Sequence, residues 1–345
     1  MNFGAEPDSA VTLDAGWYHD DEIYKREQAA IFGREWLLVG RAAELPMPGD
    51  YIAGEVAGRP VFVIRDRDGG LRGFHNVCRH RAGPLLWDGR GHCDLLRCRY
   101  HGWIYDLDGR LRKRPDFADD DDAAKTGLSL FAIHVASWRG LVFVNLAEAP
   151  VPLEAGLGGL VESMRDQPLE SFRFHGSKTY DLDVNWKTYT DNYLEGYHIP
   201  YLHPGLAAEL DMQRYRVSNG DRVSIHRAAA RAGAAYQGLF LWRWPNNTVG
   251  VYDGGLNICR ILPRGPRRTR LVFDFLFAEG VGLGDEDKQR LSAATCKVVE
   301  EDFAMCAAVQ RNLEAGLYRS GPLSPRHENG VAYFHTLVRG ALAAP

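Results

Sequence analysis

Two short Cys-His pairs constrain this chain more than any other feature of its sequence. Cys78-Arg79-His80 is separated by 17 residues from Cys98-Arg99-Tyr100-His101. Each pair stands in a short loop beside β-type sequence, so one Cys and one His arrive from each of two loops. Four such donors hold either a tetrahedral zinc or a two-iron cluster in which two thiolates serve one iron and two imidazoles the other. Spacing alone leaves both open. Small residues follow the histidines, Ala82-Gly83 in one loop and Gly102 in the other. They would let backbone N–H groups approach sulfur, which tunes such clusters. Cys93 lies between the pairs, outside the spacing, and reads as a buried free thiol.

A length of 345 residues allows about two domains, long enough to bury a full core without disulfide staples. The balance of 41 basic against 45 acidic residues gives a net charge of −4. That argues against nucleic acid as a partner, which calls for a strong basic excess. No apolar run reaches the 18 or so residues of a membrane span. The first residues, MNFGAEPDSA, lack the basic and apolar regions of a signal peptide. The expected compartment is the reducing cytoplasm, where six cysteines serve as thiols and metal ligands.

Texture divides the chain into three parts. Residues 1–37 are expected to form an N-terminal helical segment of the catalytic domain. Asp20 and Asp21 open a helix over 20–36, with Ile23, Ala30, Ile31 and Trp36 on one stripe. Residues 38–146 alternate short β-type runs such as 59–65 with the turn pairs Asp68-Gly69, Asp88-Gly89 and Asp108-Gly109, the pattern of a small all-β domain. Within it, Asp119 to Asp122 reads as a solvated acidic loop. After a connector over 147–160, the remainder to 345 mixes β-rich segments (222–278) with a helical pattern over 285–313. The expected class is α+β, with helices packed on one face of an antiparallel sheet.

A second constellation lies in that last part. His198 and His203 are five residues apart, too far round an unbroken helix to face one ion. Pro200 cannot continue a helix and biases Ile199 away from helical backbone. The spacing therefore places His198 in the last turn of a helix over 186–198 and His203 in the loop beyond. Two histidines and one carboxylate with open positions form the facial triad of non-haem Fe(II) oxygenases. Asp191 and Glu195 stand close by in sequence, and Glu300, Glu301 and Asp302 far downstream. The residues alone do not choose among these carboxylates.

The first motif, with His-Gly-Trp after its last donor, resembles a Rieske [2Fe–2S] domain, which implies Cys78, His80, Cys98 and His101 as cluster ligands. Together with Asn192, Glu195, Tyr197, His198 and His203, the sequence resembles the large (alpha) subunit of the ring-hydroxylating Rieske non-haem iron oxygenases. The likeness runs from Trp36 to the region of Phe334-His335. The stretch from Asp191 to His198 is similar to the choline- and carnitine-monooxygenase branch. The resemblance implies a helix-grip (Bet v1-like, START-like) catalytic domain and a mononuclear Fe(II) held by His198, His203 and an acid of the late pair. That acid is read as Asp302, with Glu301 as its competitor. It implies that Glu195 bridges an iron-ligating His to a cluster His of a neighbouring subunit in a homotrimer; many members have Asp at that position. Finally, it implies O2, a small organic substrate and a separate NAD(P)H-dependent reductase, with or without a ferredoxin between them. No Rossmann or flavin motif stands in the chain to replace that reductase.

For the substrate, Leu239 to Trp244 alternates, so a strand there would put Phe240, Trp242 and Trp244 on one face, with Tyr236 and Tyr252 near them. Such a wall suits an aromatic ring or a quaternary ammonium group, and equally a plain core. Two rival readings differ in class: a Rieske electron carrier with two irons per chain, and a zinc-stabilised binding protein with none. The oxygenase predicts three.

Overall fold

The computed structural model describes residues 10–117, 125–232, 234, 236–280 and 282–343. The acidic run Asp119–Asp122 and the side chain of Tyr236 lie outside the described residues. The chain divides into two compact units, residues 28–156 and residues 1–27 with 157–345. Among the described residues no helix is long and apolar enough to cross a membrane.

The 28–156 unit is built on strands. β1 (Leu37–Arg41), β2 (Asp50–Val56), β3 (Arg59–Arg65), β4 (Leu71–His75), β5 (Gly89–His92), β9 (Ala132–Trp138) and β10 (Leu141–Asn145) form one antiparallel sheet in the order β1-β10-β9-β4-β3-β2-β5. A second, three-stranded sheet joins β6 (Leu96–Arg97), β7 (Ile104–Tyr105) and β8 (Leu111–Lys113). Phe62, Ile64, Phe74, Leu96, Trp103 and Leu107 pack between them, and Cys78 and Cys98 belong to the same core. The loop after β4 is stitched at its base by Asn76, whose amide donates to the Leu86 carbonyl (2.6 Å) and accepts from Leu85 and Leu86 N–H. A buried loop needs such satisfaction of its backbone groups.

In the other unit the N-terminal helix is shorter than its sequence pattern suggests. α1 covers Asp21–Glu27; the chain then widens into a π turn over Gln28–Phe32, outside the unit, and Trp36 lies beyond it. Seven antiparallel strands follow: β11 (Phe172–Leu182), β12 (Leu210–Gly220), β13 (Val223–Ala230), β14 (Tyr236–Arg243), β15 (Asn247–Tyr252), β16 (Gly255–Gly265) and β17 (Arg268–Ala278). Their order, β11-β17-β16-β15-β14-β13-β12, is a continuous meander closed at one edge by the first strand. Between β11 and β12 come α2 (Trp186–Tyr193), α3 (Ile199–Leu202) and α4 (Pro204–Glu209). α5 (Asp285–Glu314) follows the meander and α6 (Asn329–Ala343) ends the unit. At 30 residues α5 is about 45 Å long. Its buried stripe includes Thr295, Val299, Asp302, Cys306, Gln310 and Leu313, a helical period that lays one face on the sheet.

α2 is held from several sides. Asn185 caps it by accepting from Lys187 N–H. Lys187 and Glu27, both fully buried, pair with one another, and Trp186 Nε1 donates to the same carboxylate at 2.8 Å. Tyr18 and His335 both bond to Asp191, at 2.6 and 2.9 Å. A buried charge without its partner is strongly destabilising, so these contacts fix the helix that leads into the histidine segment.

Candidate metal centres

The two Cys-His loops have the same backbone. Cys78 N–H donates to Gly83 O and Ala82 N–H returns to Cys78 O; Cys98 N–H donates to Trp103 O and Gly102 N–H returns to Cys98 O, all between 2.9 and 3.0 Å. Each loop turns through a left-handed residue at the same place, Ala82 (φ 58°) and Gly102 (φ 72°). The loops meet tip to tip. A Cβ on Gly83 would stand 3.0 Å from Cys98 Sγ, so only glycine lets the first loop approach the second this closely. Both cysteines are buried, and their thiols lie within reach of one another. The rings of His80 and His101 are 4.6 Å apart, and His80 stacks on Trp103.

Two observations test whether an iron–sulfur group fits. His80 Nδ1 is buried with no hydrogen-bond partner among the described residues, a vacancy in bonding that a metal would satisfy. Tyr105 accepts from Arg79 N–H (3.0 Å) and lies 3.3 Å from Cys78 Sγ, where a cluster-bound thiolate, which can only accept, would take its hydroxyl proton. Hydrogen bonds to sulfur set the potential of such clusters. The residues fit. Cys93 is a free thiol as expected but half-buried rather than buried; it packs against the core that holds Cys78 and Cys98, and its partial burial pushes its thiol up to about 11.

In the second unit, α2 ends earlier than the sequence pattern indicates, at Tyr193. His198 then starts α3, and His203 stands between α3 and α4. Pro200 does not end a helix here; it sits in the first turn of a new one, where its missing N–H costs nothing. The short helix between the histidines brings their rings to 5.1 Å. Donor atoms of His198, His203 and Asp302 lie within 4.8 Å of one another. Asp302 Oδ1 is 2.9 Å from His203 Nε2 and 3.7 Å from His198 Nε2. That oxygen is buried, yet it makes no hydrogen bond of proper geometry among the described residues. Three donors converging on one point, one of them a buried oxygen with no well-formed hydrogen bond, is the arrangement a cation completes.

Each histidine is oriented by a carboxylate at its far nitrogen. His198 Nδ1 bonds to Glu195, which also accepts from the His198 and Tyr197 N–H groups. His203 Nδ1 bonds to Glu301 Oε2 at 2.8 Å. Both Nε2 atoms are thereby left bare toward Asp302, the tautomer that metal binding requires. Glu301 thus stands behind a histidine and Asp302 in front of it. Burial disfavours charge on His203, but Asp302 and Glu301 outweigh it and raise its pKa, so the site draws positive charge.

A cavity opens at these residues, with about 690 Å³ of empty space that includes open solvent at its mouth. α2 contributes Tyr189 and Tyr193, β12 Tyr215, β14 Phe240, β17 Phe273 and α5 Thr295. Of the three aromatic residues expected on β14, Phe240 reaches it. Trp242 and Trp244 do not line it. Trp242 shares the face of Phe240 and Trp244 lies just past the end of β14, but α6 covers that end, and both rings pack on Phe334 at 5.4 and 6.3 Å. Tyr252 is buried behind the wall, accepting from Asn257 and bonding to Thr295. Tyr189, Tyr193 and Tyr215 were not among the residues expected at the site. The first two, four apart on a helix beside Asn192, carry a signal of a shared face; Tyr215 sits on an irregular strand and carries none.

Comparison with known proteins agrees with both halves. The Rieske [2Fe-2S] domain model matches residues 35–135, and the ring-hydroxylating alpha subunit (catalytic domain) model matches 169–239 and 231–344. Choline monooxygenase of Spinacia oleracea is 31% identical over 97% of this chain and 79% of its own length. The carnitine monooxygenase oxygenase subunit of Escherichia coli (strain K12) is 28% identical over 98% of this chain and 95% of its own. The crystal structure of the quaternary ammonium Rieske monooxygenase CntA with L-carnitine superposes with a TM-score of 0.86 at 27% identity, over 97% of each chain. Naphthalene 1,2-dioxygenase, at 18% identity and a TM-score of 0.81, shares the fold. The chain is therefore an alpha-type terminal oxygenase of the Rieske non-haem iron oxygenase family, an enzyme with a Rieske [2Fe–2S] cluster and a mononuclear iron.

Proposed function

We infer that this enzyme oxygenates a small organic cation, with the cluster on Cys78, His80, Cys98 and His101 and the iron on His198, His203 and Asp302. The observation that carries the iron assignment is the convergence of those three side chains at a cavity wall, with their far sides already bonded. When bound there, ferrous iron with free positions binds and activates O2, drawing on electrons that arrive singly through the cluster. The protein's own part is to orient and to exclude. Glu195 and Glu301 hold the two imidazoles in one tautomer. The aromatic wall keeps water from the reacting centre.

The substrate class follows from the wall. Tyr189, Tyr193, Tyr215, Phe240 and Phe273 face the cavity, and among its described lining residues there is no Lys or Arg. Aromatic faces attract an alkylammonium group, and the carboxylates Glu195 and Asp302 add negative charge. A substrate anion would meet no counter-charge from the protein, only that of the iron. The electron source is a separate NAD(P)H-dependent reductase, and a head-to-tail homotrimer lets each cluster serve a neighbour's iron through Glu195. The six cysteines form no disulfide, which suits the reducing cytoplasm.

Metal analysis of anaerobically purified protein tests the centres. Three irons per chain are expected, falling to two in Asp302→Ala with the visible spectrum of the cluster unchanged. Three irons in that variant would refute Asp302 as a ligand, and two in the wild type would reduce the protein to an electron carrier. O2 uptake with a compatible reductase then tests the substrate: methylated ammonium compounds should stimulate it, and uptake driven by neutral aromatic rings alone would favour stacking over charge.

A further inference from the structure

One wall of the cavity has a hydrogen-bond direction built into it. Asn219 Nδ2 donates to the backbone carbonyl of Asn329 at 3.0 Å. A carbonyl only accepts, so the amide is fixed in one orientation and its Oδ1 faces Ser224. Ser224 Oγ donates to that Oδ1 at 2.8 Å. Its proton is then committed, and at the 3.2 Å contact with His226 Nε2 the hydroxyl accepts. Nε2 therefore carries the proton and Nδ1 is bare. Tyr215 Oη lies 2.8 Å from Nδ1 and donates to it. Each step leaves a single consistent assignment.

The surroundings keep the relay in this state. Ser224 and His226 are 0% and 1% exposed. Burial pushes the His226 imidazole down to about 3, so it stays neutral and able to accept. The phenol proton of Tyr193, a second member of the wall, is likewise turned away, to the Leu241 carbonyl at 3.1 Å. Two of the cavity's phenols thus have their protons directed at the protein.

We propose that Tyr215 is a specificity-determining residue: its hydroxyl, oriented by the Asn219-Ser224-His226 chain, presents only lone pairs to the substrate. It accepts from a hydroxyl or N–H group on a cationic substrate and repels a carboxylate. This rests on reading the cavity as the substrate site and selects, within the cations, an alkylammonium alcohol over an alkylammonium acid.

The test is calorimetric binding to the holoenzyme, with iron and cluster content measured in every variant. The probes are choline, tetramethylammonium and glycine betaine, which share the methylated ammonium head and differ in carrying a hydroxyl, nothing, or a carboxylate. Tyr215→Phe is expected to weaken choline about tenfold, the loss of one hydrogen bond, and tetramethylammonium less than twofold. His226→Leu frees the Tyr215 proton to turn into the cavity, so the preference for choline over glycine betaine should shrink at least fivefold. A merely structural role for Tyr215 would weaken choline and tetramethylammonium alike, and that result, or no change in either, overturns the proposal. An unchanged choline-to-betaine ratio in a folded His226→Leu protein overturns it too. If that variant does not fold, the Tyr215→Phe pair of affinities decides alone. Failure of wild-type protein with three irons to bind any probe would sink the cation reading of the cavity, and the proposal with it, while leaving the metal assignments standing.

Discussion

Replacing Glu301 separates the carboxylate proposed to hold iron from the one that bonds a histidine. The two acids are adjacent on α5, so they point about 100° apart. Asp302 is 7% exposed and joins the histidine donors; the Glu301 side chain is 30% exposed and bonds to the back of His203. Loss of such an outer partner costs about 10–100-fold in metal affinity. The structure sets where in that range each variant falls. In Glu301→Gln the amide oxygen still accepts from Nδ1–H, preserving the tautomer and losing the charge assistance. The expected loss is roughly tenfold, about 1.4 kcal/mol. Glu301→Ala frees the imidazole to adopt the wrong tautomer, and the loss should approach 100-fold, about 2.7 kcal/mol. Anaerobic competition with a ferrous chelator measures this, and the cluster's visible band counts intact chains. Wild-type affinity in both variants would refute the orienting role. Complete loss of mononuclear iron in Glu301→Gln, with full retention in Asp302→Ala, would exchange the roles assigned to the two acids.

Tyr105→Phe removes the O–H···S bond to Cys78 without emptying the core around it. The cluster potential should fall by about 40 mV, the one-electron equivalent of a bond of ~1 kcal/mol; an unchanged potential in protein-film voltammetry would remove that bond from the account. His226 gives a pH dependence of definite sign. Its folded pKa, about 3, lies below the ordinary value near 6.5. The unfolded chain therefore binds the extra proton, and the stability this group contributes above pH 6.5 is lost as pH falls toward 3. Between pH 7 and 5 the loss is about 2 kcal/mol. The difference in Tm between wild type and His226→Leu should shift by about 4 °C or more against the wild type from pH 7 to pH 5; a constant difference would contradict the assignment of His226 as neutral.

Chemistry that depends on residue type at short spacing was open to reading in one dimension. The two Cys-His pairs and the His198-His203 pair declare their donors because a loop of fixed length delivers them together, whatever the rest of the chain does. The strand over 59–65, the β-rich stretch over 222–278 and the helix over 285–313 were legible too, since local periodicity and turn residues decide them. The inward turn of Asp302, in step with Val299 and Cys306 where Glu301 is not, emerged only with the structure; from the sequence the resemblance, not the residues, singled it out.

What needed three dimensions was every choice among partners distant in sequence. Glu301 and His203 are 98 residues apart, and only the packing of α5 against the histidine segment makes one a support for the other. Trp242 shares a strand face with Phe240, yet α6, 90 residues later, covers one and leaves the other in the cavity. The same holds for the line from Asn329 to Tyr215. Hydrogen-bond direction is a property of a whole network, settled at its far end by a carbonyl that can only accept, and a sequence contains no record of where that end lies.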